Sequence, residues 1–268
     1  MRGKTIMTAL LLSVLALQTA VAESSAIDDV VWDRLLKSHV QVIDGGKATT
    51  VDYQAMLQER QKLKQYLQTL SSVSKQQFDQ WPKPEQLAFL INAYNAATVE
   101  LILTAWPDLN SIKELGGLFS SPWKKKFVSL LGEMRSLDDI EHGLIRGSAR
   151  YNDPRIHFAV NCASIGCPAL RAEAYDGKRL EQQLSEQSTL FLQDRSRNQV
   201  KGASIHLSSI FKWYREDFEK GWQGFTRLED FLLVHAEDLG MSPAAVQQLK
   251  TGKANIEFMT YDWRLNKQ

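Results

Sequence analysis

Along most of the chain, hydrophobic residues recur at helical spacings, and short polar breaks separate the segments. Residues 26–40, AIDDVVWDRLLKSHV, place Val31, Leu35 and Leu36 on one face. Residues 51–70, VDYQAMLQERQKLKQYLQTL, begin at Asp52, a residue suited to capping a helix, and keep Met56, Leu63, Leu67 and Leu70 together. After the breaker-rich WPKPEQ, residues 87–106, LAFLINAYNAATVELILTAW, are apolar on almost every side. Such a pattern predicts a helix buried in the middle of a domain. Its polar content argues against a membrane span.

The second half alternates shorter elements. KFVSLLGEMRSL, with a glycine near its middle, predicts a short hairpin. SLDDIEHGLIRG opens with a capping box between Ser136 and Asp139 and closes on Gly147. RIHFAV and SIHL read as short strands, AYDGKRLEQQLSEQSTLFLQ as a turn and a helix, and SSIFKWYREDF and TRLEDFLLVHAEDLG as helices. Pro243 suits the first position of a helix over PAAVQQLK, and ANIEFMTYDWRLN predicts a terminal strand with an aromatic tail. Helices dominate and strand and helix units do not alternate regularly, so the expected class is α+β: a mainly helical single domain whose central buried helix packs on a small antiparallel sheet.

The first residues, MRGKTIMTALLLSVLALQTAVAES, combine basic Arg2 and Lys4, an apolar core and an A-x-A signature at Ala20-Val21-Ala22. The core is shorter than the roughly 20 residues that span a bilayer. The expectation is a cleaved leader over residues 1–22 and one globular domain over 23–268, periplasmic or secreted, with no membrane span once the leader is removed. With a formal net charge of +1 and charges of both signs dispersed, the chain has no feature that points to nucleic acid. The expected partner is an envelope peptide, polymer or protein, and no cofactor is called for.

Candidate chemistry concentrates in residues 157–170, HFAVNCASIGCPAL, which hold both cysteines. In an oxidising compartment a pair separated by ASIG defaults to a Cys162–Cys167 disulfide, with Gly166 supplying the turn. A reactive thiol, a metal site or redox exchange are the alternatives. His157 is the candidate general base or acid, Asn161 and Asn92 are orienting or anion-stabilising groups, and Cys162 or Cys167 is a nucleophile only when reduced. Asn92 and Asn95 stand three apart on the central helix, either tying loops to it or lining a polar cleft. Asp138 or Asp139 with His142 could share a helix face as metal ligands, although capping accounts for both carboxylates without a metal. Trp213, Tyr214, Tyr261 and Trp263 are candidate cleft walls.

Five ordered blocks, FLINAYNA, SLDDIEHGLIR, HFAVNCASIGCPAL, LSSIFKWYREDF and YDWRLN, resemble the family catalogued as domain of unknown function 547, over roughly residues 80–265. The resemblance features Asn92, Tyr94, Asn95, Asp138, Asp139, Glu141, His142, His157, Asn161, Cys162, Cys167 and Asp262, and implies no established reaction. By analogy alone, a core helix against strands is similar to the papain and transglutaminase architecture. In that architecture the nucleophile opens the core helix, and residues 84–87 here contain no cysteine or serine. Two functions remain in view. One is an envelope hydrolase or transferase acting on amide or ester bonds, with His157 central. The other is a non-catalytic, disulfide-stapled binding module of the cell envelope.

Overall fold

A computed structural model describes residues 27–117, 120–202 and 204–268. The expected leader, residues 1–22, lies outside the described residues. Helix α1 (Val30–His39) leads into a hairpin of β1 (Val40–Ile43) and β2 (Ala48–Val51), followed by α2 (Tyr53–Gln58), α3 (Arg60–Ser71) and α4 (Lys75–Gln80). Asp52 caps α2 by accepting from the Ala55 amide at 2.8 Å. The segment expected as one helix is broken at Glu59 into α2 and α3.

The central helix is α5 (Lys83–Leu103), buried from Gln86 to Leu103. It is the one described helix long and apolar enough to cross a membrane, and its apolar stretch is wholly buried inside the protein. Its main neighbours are α3, α6 (Asp139–Arg146) and α8 (Leu180–Gln193). Between α5 and α6 the expected hairpin forms as β3 (Val128–Leu130) and β4 (Glu133–Arg135), with Leu131 and Gly132 in left-handed conformations at the turn. The Ser136–Asp139 capping box is also present, the Ser136 amide donating to Asp139 and the Asp139 amide to Ser136 Oγ. Helix α6 is wound as a π-helix, its last turn closed by Gly147 N–H donating to the His142 carbonyl at 2.9 Å. A Cβ at Gly147 would lie 2.7 Å from that carbonyl oxygen, so glycine is required there.

RIHFAV departs from expectation. It forms a single helical turn, α7 (Ile156–Ala159), instead of a strand. The Asp153 carboxylate accepts from the Arg155 amide and Arg155 Nε in front of it, and Asn95 Nδ2 donates to the Ala159 carbonyl at 3.0 Å behind it. Four residues of alternating character do not distinguish one helical turn from a strand, and here the flanking polar anchors decide.

The chain closes with β5 (Gln199–Lys201), β6 (Ser204–Leu207), α9 (Ser209–Trp213), α10 (Leu228–Val234), α11 (Pro243–Lys250) and β7 (Asn255–Phe258). The two hairpins and the β5–β6 pair are antiparallel, whereas β7 joins β6 in parallel, so the three-stranded sheet is mixed. The α+β class with dominant helices stands. His157, however, rides on a helix and not on the sheet.

Two apolar clusters build the interior. The larger surrounds α5; the smaller gathers Phe158, Phe191, Phe211, Phe218 and Phe231 with β6. Each buried phenylalanine contributes about 1.5–3 kcal/mol by leaving water. Helix α7 bridges the two clusters, since Ile156 and Ala159 belong to the first and Phe158 to the second.

Candidate active site

A cavity of about 200 Å³ opens along the seam between these clusters. Its polar wall comes from α6 and the residue before it (Asp138, Glu141, His142) and from α7 (His157). Its aromatic wall comes from Tyr94 of α5, Trp123, Trp213, Tyr214 and the C-terminal residues Tyr261 and Trp263.

His157 is buried, and its Nε2 lies 2.7 Å from Asp217 Oδ2. A carboxylate accepts only, so Nε2 carries the proton and Nδ1 presents a lone pair. Nδ1 has no hydrogen-bond partner among the described residues. The ring is stacked on Tyr214 with centroids 3.9 Å apart. Burial outweighs the Asp217 hydrogen bond and holds the imidazole below its ordinary pKa, which keeps it neutral at pH 7.

Asp217 sits in the 3-10 turn Arg215–Phe218 and is fully buried. Burial alone would raise its pKa. Hydrogen bonds from His157, Arg146 and Lys220 prevail and hold it well below the usual carboxylate range. Arg146 Nε lies 2.5 Å from Oδ2 and Lys220 Nζ 2.6 Å from Oδ1. Arg146 also reaches His142 Nδ1 at 2.8 Å, and His142 Nε2 stands 3.8 Å from Asp138. The i, i+4 spacing of Asp138, His142 and Arg146 along α6 thus continues through Asp217 to His157.

Glu141 is the second buried ionisable group in the cavity wall. Its Oε1 has no hydrogen-bond partner among the described residues. Tyr94 and Tyr214 lie close enough that Glu141 adds to the effect of burial in pushing both phenols up, so both remain protonated.

Cys162 and Cys167 are joined by a disulfide in the cavity wall, as the export argument led us to expect. No thiol nucleophile is free among the described residues. The Tyr261 hydroxyl lies 3.2 Å from Cys162 Sγ and 3.0 Å from Cys167 Sγ. The turn itself differs from the expected one. Ala163, not Gly166, takes the left-handed conformation, at φ 61°. Gly166 is needed instead for close approach: its amide donates to the Asp262 carbonyl at 2.8 Å, and a Cβ there would meet Asp262 backbone and the Tyr261 ring at 3.0 Å.

The asparagines expected near the imidazole act elsewhere. Asn92 exchanges hydrogen bonds with the Tyr175 backbone, 2.8 Å to its carbonyl and 2.9 Å from its amide. Asn95 joins the Ala159 carbonyl to the Asn161 amide. Asn161 accepts from Ala163 N–H and donates to the Pro168 carbonyl, so it shapes the disulfide turn. None of the three lines the cavity, and Asp217, which the sequence reading passed over, orients the imidazole in place of Asn161. Asp262 accepts from Arg264 outside the cavity. Tyr94, Trp213, Tyr214 and Trp263 do line it. Among the described residues no three His, Cys, Asp or Glu side chains converge as metal ligands, and the disulfide removes both sulfurs from any such set.

Residues 78–192 match the family described as protein of unknown function, DUF547, and carry its domain. The match contains Glu141, His157 and the disulfide, while Asp217, Trp213, Tyr214 and Trp263 are contributed from beyond it. No curated protein and no solved structure matches the chain.

Proposed function

We propose that this DUF547 protein is a hydrolase or transferase acting on amide or ester bonds, with His157 as its acid–base group. The observation that carries the reading is a neutral, buried imidazole whose Nε2–H is held by Asp217 and whose Nδ1 is left unpartnered in a cavity wall. With both sulfurs in a disulfide, the attacking oxygen comes from water or an acceptor hydroxyl. His157 Nδ1 removes its proton as the oxygen bonds to the carbonyl carbon. That proton passes to the departing nitrogen or oxygen as its bond to carbon breaks, which regenerates the neutral ring. Asp217 stabilises the transient imidazolium, and Arg146 and Lys220 keep Asp217 ionised and in place.

Protonated Tyr94 and Tyr214 hydroxyls line the same cavity, where Glu141 is their hydrogen-bonding neighbour. The leader expected from the first residues would deliver this chemistry to the periplasm or outside the cell, where peptides and envelope polymers supply such bonds. A binding module without catalysis is the second reading, supported by Trp213, which is 46% exposed at the cavity rim.

The test is turnover of a panel of aminoacyl and acyl esters and anilides by the wild type and by His157→Gln. The expected result is turnover that iodoacetamide leaves unchanged and that falls by about 10²–10⁴-fold in the variant. Equal rates in the two proteins contradict the assignment, and binding of panel members without turnover by the wild type favours the binding module.

A further inference from the structure

We propose that the cavity recognises an organic ammonium group, so that the substrate of its reaction carries a protonated amine or a quaternary ammonium beside the bond acted upon. From the reading above, the inference takes only that this cavity is the substrate site.

Three observations lead to it. The first is a buried carboxyl group with a vacant acceptor. Glu141 is 4% exposed, and its Oε1 finds no hydrogen bond among the described residues. Its nearest basic atom, His142 Nδ1, is 4.0 Å away and already accepts from Arg146. Arg146 is itself engaged by Asp217. The Tyr94 and Tyr214 hydroxyls are its hydrogen-bonding neighbours and bring no positive charge, so a cavity wall that keeps this carboxyl group buried is complementary to a cation. Asp138 adds a second carboxylate to the same wall.

The second is the aromatic lining. Trp213 is stacked on Trp263 with centroids 5.6 Å apart, Tyr261 packs against both at 4.8 and 4.5 Å, and Trp123 meets Trp263 edge-on at 5.8 Å. Aromatic rings and buried carboxyl groups lining one cavity are the residue types that bind ammonium ions, the rings acting through their quadrupole. Rings of this group already hold protein cations: Lys113 Nζ stands 3.7 Å from the Trp263 centroid and the Arg146 guanidinium 4.9 Å from that of Tyr214.

The third is size. A cavity of about 200 Å³ admits a small headgroup, and the half-exposed Trp213 lets the remainder of a larger molecule leave along the rim. The neutral state of His157 adds no positive charge to the wall and so does not oppose a cationic ligand.

The experiment is a tryptophan-fluorescence titration of the described domain's full chain with three probes of matched shape: choline, 3,3-dimethyl-1-butanol and 3,3-dimethylbutanoate. Choline is expected to bind at least tenfold more tightly than the neutral alcohol, and the carboxylate more weakly than either. Glu141→Gln, which keeps the shape of the side chain, is expected to erase the preference for choline while leaving the unfolding transition in place. Trp263→Phe is expected to weaken choline several-fold. Equal affinity for choline and the alcohol, preference for the carboxylate, or an undiminished choline preference in Glu141→Gln overturns the inference. His157→Gln is expected to retain the choline preference. Loss of catalysis with retained choline binding therefore bears on the reaction alone, and turnover without choline preference bears on the ammonium site alone.

Discussion

The His157 imidazole has a carboxylate at Nε2, the Tyr214 ring on one face and a buried, unpartnered Nδ1, and the residue lines the cavity. Each has a separable consequence. Removing Asp217 frees the tautomer and strips Arg146 and Lys220 of their shared partner. Both cations retain some access to solvent, so Asp217→Ala is expected to cost about 3 kcal/mol, at the lower end for a broken buried pair, measured by urea unfolding. A loss of a few tenths would show that Asp217 is not the anchor described. Asp217 also marks the limit of what could be read beforehand. Within REDF it stands between a charged residue and a core phenylalanine, sixty positions from His157, and no local spacing joins the two. The available signal was Tyr214 three residues earlier, an expected cleft wall that shares its side of the turn.

At the scale of elements, the long periodic segments were legible and the short ones were not. The central helix, the Ser136–Asp139 box and the helix from Pro243 follow directly from spacing and caps. The β1–β2 hairpin was missed although its DGG turn lies between the β-branched runs VQVI and ATTV, because residues 41–50, between two helical segments, were assigned to no element. In RIHFAV the alternation was real, but long-range anchors override it. Asn95 is one of them, and it satisfies two buried backbone groups at the end of α7. Asn95→Ala is expected to lose about 2 kcal/mol or more in urea unfolding, since each stranded buried group costs about 1–3 kcal/mol. An unchanged midpoint would mean that α7 is held by other contacts. The disulfide acts on the same loop. Replacing both cysteines by alanine opens only a short loop, and the chain-entropy account puts the loss at about 2 kcal/mol in unfolding under non-reducing conditions. A far larger loss would assign the bridge a global rather than local role.

For the whole molecule, two apolar clusters meet along a seam, and the ionisable groups of that seam make stability depend on pH. Folding lowers the pKa of His157 from 6.5 by burial and lowers that of Asp217 through its three cationic or donor partners. In both cases the folded protein binds fewer protons than the unfolded chain. The stabilisation from Asp217 is fully present above its unfolded value of 3.8 and is lost as the pH falls further. The cost of charging His157 begins to appear below about 6.5. Asp29, whose pKa burial raises to about 6, acts in the opposite sense over the same range, so the seam is read by difference: the gap in thermal midpoint between the wild type and His157→Gln is expected to shift against the wild type as the pH falls from 7 to 5. A gap that stays constant, or shifts in favour of the wild type, on acidification from pH 7 to 5 would contradict the arrangement of the seam.

The account rests on one protonation state, and nitrogen-15 NMR of the imidazoles reads it directly. His157 is expected to show the neutral Nε2–H tautomer, coupled to a ring whose Nδ1 is unprotonated, and to titrate below 6.5. A proton on Nδ1 at neutral pH, or titration above that value, would contradict it.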